Sequence, residues 1–213
     1  MIANKSAPVV FVVDDDESVR SSLRFLLRTA ALESRAFGSA AEFLRSYDPA
    51  QPGCLVLDVR MPGMSGLELQ LELNLRGAII PVIFITGHGD IPMAVEAMRH
   101  GAHDFLQKPF RDDDLIERIQ RALAKDAQAR VGLEGHQAIR ACLESLTPRE
   151  REVLALMVHG KPNKVMAHEL GVSQRTIEIH RARVMGKSGA ASLAELVRMV
   201  MDVAPELAPS TPS

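Results

Sequence analysis

Five short apolar runs, each followed by an amphipathic helical pattern, repeat through the first 129 residues, and this repeat constrains the fold more than any other feature. The runs are Val9–Val13, Ser34–Phe37, residues 54–57, Val82–Thr86 and Asp104–Gln107. Helix starts are visible between them. Ser39 precedes Ala40–Ser46, and Asp90 precedes Ile91-Pro92, with proline at the first helical position. Asp112, Asp113 and Asp114 sit in the opening turn of a helix running towards Ala129, where negative charge suits the dipole. Strands alternating with helices at about 20–25 residues per unit imply a parallel sheet covered on both faces. The sequence thus predicts an α/β fold, a doubly wound five-stranded parallel sheet.

Beyond Ile139 the strand pattern disappears. Thr147-Pro148-Arg149-Glu150 fits a capping box and opens a helix to about His159, which Gly160 ends. A second helix covers 164–170 and stops at Gly171; Ser173 caps a third, and residues 192–203 make a fourth. These make a second, smaller, all-α domain. The expected organisation is an α/β domain over 7–126, a helix extension and linker over 127–140, the helical domain over 141–204, and a proline-containing disordered tail over 205–213.

Composition removes several function classes. The longest apolar runs are about five or six residues, against the ~20 needed to span a bilayer, and the N-terminus lacks the apolar core of a secretory signal. Cys54 and Cys142 lie far apart among apolar neighbours, which argues against a disulfide scaffold or zinc cluster and for a reducing cytoplasm. Aromatic residues are only 4%, too few for a surface that stacks unpaired bases. The net charge of −2 is uneven. Residues 1–124 carry 13 basic and 17 acidic side chains, whereas residues 147–203 carry 9 and 6. An acidic front and a basic back suggest two domains with different partners.

Chemistry concentrates where the strands end. Asp14 and Asp15 end the first strand, Asp58 the third, Thr86 the fourth and Lys108 the fifth. In an open parallel sheet, ligands bind beyond the carboxyl edge of the strands near the switch in strand order, so all five should share one mouth. Three carboxylates together call for a cation, and Mg²⁺ suits them because it takes oxygen ligands and keeps several waters. Lys108 is the complementary charge for an oxyanion, and the Thr86 hydroxyl can bond the same group. Asp58 is the sensible nucleophile, and phosphoryl transfer onto its carboxylate the expected chemistry. Taken singly, each piece also reads as ordinary structure: an acidic helix start, a loop, a strand stop. Their coincidence at one sheet edge does not.

These segments resemble the receiver domain of two-component response regulators, a flavodoxin-like fold. The matching stretches are Val13-Asp14-Asp15, Leu57-Asp58-Val59-Arg60-Met61-Pro62-Gly63-Met64-Ser65-Gly66, Thr86-Gly87-His88-Gly89 and Lys108-Pro109-Phe110. The resemblance implies that Asp58 accepts phosphate from a sensor histidine kinase. It implies Mg²⁺ held by Asp15, Asp58 and the Arg60 backbone carbonyl, with Asp14 helping through water. Thr86 and Phe105 would form the switch, and the Lys108–Pro109 peptide is usually cis in the family. His88 and Arg60, beside Asp58, are candidates for tuning the water that hydrolyses the phosphorylated carboxylate.

In the third C-terminal helix, over 174–187, Ile177, His180 and Val184 form a narrow core stripe at 100° per residue. Arg175, Glu178, Ile179 and Ala182 lie opposite, an unusual outer face that suits a DNA major groove. With the preceding helix and the turn at Gly171, this makes a helix-turn-helix arrangement. The segment resembles the LuxR-type helix-turn-helix of the NarL/FixJ subfamily through Leu146-Thr147-Pro148-Arg149-Glu150-Arg151-Glu152-Val153-Leu154, Asn163-Lys164, Thr176-Ile177-Glu178-Ile179-His180-Arg181 and Ser192-Leu193. The expected DNA-contacting residues are Arg175, Thr176, Glu178, Ile179, Arg181, Ala182, Arg183 and Lys187. Gly186 and Gly189 depart from the subfamily pattern and predict early fraying of that helix. Leu193, Leu196, Val197 and Val200 form a stripe that either packs inward or joins two subunits.

The combination implies a phosphorylation-activated transcriptional regulator of the two-component class, not an enzyme. It would dimerise through the face around residues 91–100 and Phe105, bind double-stranded DNA and act with RNA polymerase. Two other readings are open. A phosphatase of the haloacid-dehalogenase type needs a second acid two residues after its nucleophile, where Arg60 stands. A signalling module could instead bind protein and not DNA.

Overall fold

The computed structural model describes residues 6–87 and 91–204. The expected helix cap Asp90, His88 and the tail 205–213 lie outside the described residues. The chain divides between Arg130 and Val131 into two compact units.

The first unit alternates strands and helices: β1 (Val9–Val13), α1 (Glu17–Thr29), β2 (Ser34–Phe37), α2 (Ala40–Ser46), β3 (Gly53–Asp58), α3 (Gly66–Leu75), β4 (Val82–Thr86), α4 (Ile91–Arg99), β5 (Asp104–Gln107) and the start of α5 (Asp112–Ser145). All neighbouring strands pair in parallel, in the order β2-β1-β3-β4-β5. Every residue of β1, β3 and β4 is buried, as continuous apolar strands sandwiched between helical layers must be. Alternation then splits them between two cores. Val9, Phe11 and Val13 pack with Phe43, Leu57, Leu69 and Phe84, while Val10 and Val12 pack with Leu27, Ile83, Ile85, Leu115 and Ile119.

Helix starts follow the side chains expected of them. Asp16, Ser39 and Ser65 each accept a backbone N–H of the first turn of α1, α2 and α3, and at α3 Glu68 completes a capping box. Two glycines are required by close approach. A Cβ on Gly53 would lie 2.0 Å from the Val9 carbonyl oxygen, and one on Gly66 would lie 2.2 Å from the Asp58 carbonyl oxygen.

The stretch 127–140, expected to pass from helix extension into linker, is helical throughout, because α5 runs unbroken to Ser145. Ala127, Ala129, Leu133 and Ala138 favour propagation from the buried turns of α5, outweighing the cost of Gly132 and Gly135, about 1 kcal/mol each.

The second unit contains α6 (Pro148–Val158), α7 (Asn163–Glu169), α8 (Gln174–Ser188) and α9 (Leu193–Val203) around Leu154, Met157, Met166, Ile177, Val184, Leu196 and Val200. The capping box of Thr147 and Glu150 opens α6, and Ser173 and Ser192 cap α8 and α9. The early fraying expected at Gly186 does not occur. Helix α8 continues to Ser188 and ends on Gly189 at φ 67°, the left-handed stop that glycine favours. In α9, Leu196 and Val200 are core residues, whereas Leu193 and Met201 are exposed.

Candidate functional site

The strand order reverses at β1, which lies between β2 and β3, so the crevice of the sheet opens beyond the carboxyl ends of β1 and β3. Asp14 follows β1 and Asp58 ends β3; both are buried, 1% and 8% exposed. Lys108, following β5, reaches between them. Its Nζ donates to Asp14 Oδ2 at 2.9 Å and to Asp58 Oδ1 at 3.3 Å. The second oxygens are held by backbone: Asp16 N–H donates to Asp14 Oδ1 at 2.9 Å, and Arg60 N–H donates to Asp58 Oδ2 at 2.8 Å. Thr86, also buried, receives the Lys108 backbone N–H on its carbonyl at 2.7 Å, fixing the lysine to the end of β4. The Lys108–Pro109 peptide is cis.

The electrostatics are unbalanced in a useful way. Burial raises the Asp58 carboxyl above its ordinary range, against the opposing pull of the Arg60 N–H and the Lys108 charge. Burial alone would lower Lys108, but its bond to Asp14 and the charges of Asp14 and Asp58 outweigh this and raise it. One ammonium therefore serves two buried carboxylates, and Asp58 remains short of positive charge.

Of the five polar side chains expected at one mouth, Asp14, Asp58 and Lys108 are directly bonded and Thr86 adjoins them. Asp15 is exposed. Its neighbour Asp14 is the buried one, and Asp15 stands in the bend between β1 and α1. Among the described residues, no group of three carboxylates, imidazoles or thiols stands close enough to hold a metal ion. Magnesium is nonetheless compatible, because it commonly takes only one or two protein carboxylates and completes its octahedron with water. Two buried, oxygen-only donors that share one ammonium match that hard cation.

Phe105 of β5 lies opposite Phe84 in register and packs, half-buried, against the core. On the adjacent helix α4, Val95 and Met98 are exposed. Sequence reasoning missed Arg20, whose Nη1 donates to the Asp14 carbonyl at 2.5 Å, and the need for Gly66 behind Asp58. Arg20 carries no local signal beyond its position one turn into α1.

In the second unit, Ile177 and Val184 of α8 are fully buried and His180 is half-buried, as the stripe predicts. Arg175, Glu178, Ala182 and Arg183 are exposed, and so is Ile179 at 47%. Arg181 is half-buried, and the Thr176 hydroxyl shares a 2.8 Å hydrogen bond with Ser173. Lys187 turns towards its own unit: its Nζ donates to Glu150 Oε2 at 2.7 Å and to the Ser145 carbonyl at 3.0 Å. That bond holds the Glu150 carboxyl down to about 2.

Residues 10–120 match the response regulator receiver domain, and residues 144–200 match the bacterial regulatory proteins of the luxR family. The chain is 50% identical over 192 residues to the transcriptional regulatory protein FixJ of Azorhizobium caulinodans, covering 90% of this chain and 91% of the relative. It is 50% identical over 191 residues to nodulation protein W of Bradyrhizobium diazoefficiens, covering 90% and 84%. The response regulator StyR is similar in structure, with a TM-score of 0.84 and 48% identity over 92% of this chain and 100% of that one. Receiver domains generally bind Mg²⁺ for phosphorylation. With the carboxylate–lysine crevice on one unit and the exposed helix α8 on the other, the chain belongs to the NarL/FixJ-type response regulators, transcriptional regulators that join a receiver to a LuxR-type DNA-binding domain.

Proposed function

We propose that Asp58 is the phosphoacceptor and that a phosphoryl group arriving there from a sensor histidine kinase switches DNA binding by α8. The observation that carries this is the single Lys108 ammonium shared by Asp14 and Asp58 at the sheet crevice. An Asp58 oxygen attacks phosphorus as the bond from phosphorus to the kinase imidazole breaks, and the imidazole nitrogen retains the electron pair. Lys108 neutralises charge on the transferred group, and the Arg60 N–H keeps the carboxylate oriented. Asp14, Asp15, Asp58 and the Arg60 carbonyl would hold Mg²⁺, which supplies neutralisation of phosphoryl charge during transfer. Thr86 then bonds a phosphoryl oxygen and Phe105 follows inward, reshaping the face that carries Val95 and Met98 so that two receivers pair.

Pairing brings two helix-turn-helix domains to two half-sites with added avidity. Arg175, Glu178, Ile179, Ala182 and Arg183 form the contact face, flanked by Thr176 and Arg181. Lys187, engaged with Glu150, instead braces the end of the helix. RNA polymerase and the cytoplasm complete this reading; no described helix is long and apolar enough to cross a membrane. We take 7–126 as the receiver, 127–140 as the connecting segment, helical in form, and 141–204 as the output domain.

Selection of bound sites from random double-stranded DNA, with and without acetyl phosphate and Mg²⁺, tests the proposal. Enrichment of a paired motif only with acetyl phosphate, lost in Asp58→Asn, is expected. Equal enrichment by the Asp58→Asn protein would overturn it.

A further inference from the structure

The end of the sheet opposite the phosphoacceptor crevice holds a second polar cluster that the switch does not use. Asp126 of α5 is buried, 1% exposed. Its Oδ2 accepts the Gly53 N–H at 3.0 Å and Arg130 Nε at 2.8 Å. Arg130 goes further: Nη1 donates to the carbonyls of Pro49 and Ala50 at 3.0 and 3.1 Å, and Nη2 to that of Gln51 at 2.9 Å. One guanidinium thus ties the last buried turn of α5 to the whole loop entering β3. Gly53 sits where a side chain could not, since a Cβ there would lie 2.0 Å from the Val9 carbonyl oxygen.

The next turns of α5 have no such support. Every residue from 131 to 138 is exposed, and Gly132 and Gly135 lie among them. An exposed helix of this length containing two glycines is marginal by itself, since nucleation is costly and each glycine weakens propagation. A fixed helical turn immediately before it removes the nucleation cost. Oδ1 of Asp126 is buried without a hydrogen-bond partner, so the carboxylate depends on Arg130 and one amide for its compensation. Removing Arg130 leaves that charge stranded.

We infer that Asp126 and Arg130 anchor the connecting helix: they pin the final receiver turn of α5 to the 49–53 loop, and helix beyond residue 130 persists because that turn is held. Arg130 is in this sense a positioning residue for transmission from receiver to output, remote from the phosphorylation chemistry. The exchange behaviour stands independently of the proposed function; the transmitting role rests on it.

Hydrogen exchange of the full chain, read by mass spectrometry, tests the anchor. In Arg130→Ala, amides of 131–138 should exchange about tenfold faster or more, while those of β1 and β3 keep their protection. Arg130→Lys, which keeps the charge but loses the fork, should restore part of the difference. Unchanged protection over 131–138 would overturn the anchor. If Arg130→Ala does not fold, Arg130→Lys and Asp126→Asn carry the same comparison. Labelling of Asp58 by acetyl phosphate should stay unchanged in these variants while the phosphate-dependent gain in DNA affinity falls. A gain that survives the loss of helix protection would overturn the transmitting role. Failure of the parent chain to label would sink the proposed phosphoacceptor instead, leaving the exchange result to stand.

Discussion

Lys108 Nζ stands 2.9 Å from Asp14 Oδ2, closer than to the carboxylate of Asp58, although 94 residues of chain separate the pair. Asp14 thus parks the lysine beside Asp58, the proposed phosphoacceptor, without neutralising it fully, which leaves the ammonium available to an incoming phosphoryl oxygen. Lys108→Ala strands two buried carboxylates, and we expect a loss of about 1–3 kcal/mol at neutral pH from the unpaired groups. Lys108→Ala should also abolish the phosphate-dependent gain in DNA affinity. Urea unfolding and a gel-shift series with acetyl phosphate measure the two effects.

Asp58 should be costly to keep ionised. Burial raises its folded carboxyl above the ordinary value, so the folded state prefers the protonated form and the charged form destabilises it at neutral pH. Asp58→Asn is therefore expected to raise the urea midpoint at pH 7, with the difference shrinking as pH falls through the raised value. A midpoint lowered at pH 7 would contradict this sign. Phosphorylation, which needs the carboxylate, should decline over the same acidic range, measured by gels that retard the phosphorylated protein.

Gly66→Ala should disrupt the crevice from behind. Its Cβ would meet the Asp58 carbonyl oxygen at 2.2 Å, a backbone contact that no rotamer relieves. We expect destabilisation above about 2 kcal/mol and slower labelling of Asp58. Alanine at Gly63, where open space surrounds the Cβ position, strains only the φ of 77° and should leave the Asp58 geometry unchanged.

Glu150 links the start of α6 to the end of α8, and its carboxyl is held at about 2 by Lys187 and the Thr147 N–H. A carboxyl with a lowered folded value stabilises above its ordinary value of 4.5 and loses that contribution as pH falls from there towards 2. Protection factors of amides in α6 and α8, corrected for intrinsic exchange at each pH, should fall over this window in the parent chain. Glu150→Gln should exchange faster already at neutral pH and respond less to acid.

On α8, Arg175→Ala and Glu178→Ala should each cost about 1–3 kcal/mol and relax preference at one base position if they read base edges. Arg183→Ala should instead weaken binding to all sequences and reduce the salt slope by about 1 if it contacts phosphate. Lys187→Ala should act mainly through stability, because its ammonium is committed to Glu150. Fluorescence anisotropy at several salt concentrations separates these outcomes.

The five strands, their parallel pairing and most helix starts follow from sequence, because period-two and period-3.6 patterns and capping side chains are local signals. The convergence of Asp14, Asp58, Thr86 and Lys108 was legible for a further reason: in a doubly wound sheet, strand ends fall at one edge whatever their separation in the chain. Local pattern could not distinguish Asp14 from Asp15, because which of two adjacent carboxylates beyond β1 is buried depends on partners, such as Lys108, that only folding brings close. Nor could it foresee the tertiary bonds of Lys187 to Glu150 and of Arg130 to three loop carbonyls, since long flexible side chains take partners that only packing brings within reach. The same holds for α5. Its glycines predict a linker, but a buried, clamped turn before them lets the helix continue, and cooperativity of that kind is decided by tertiary structure.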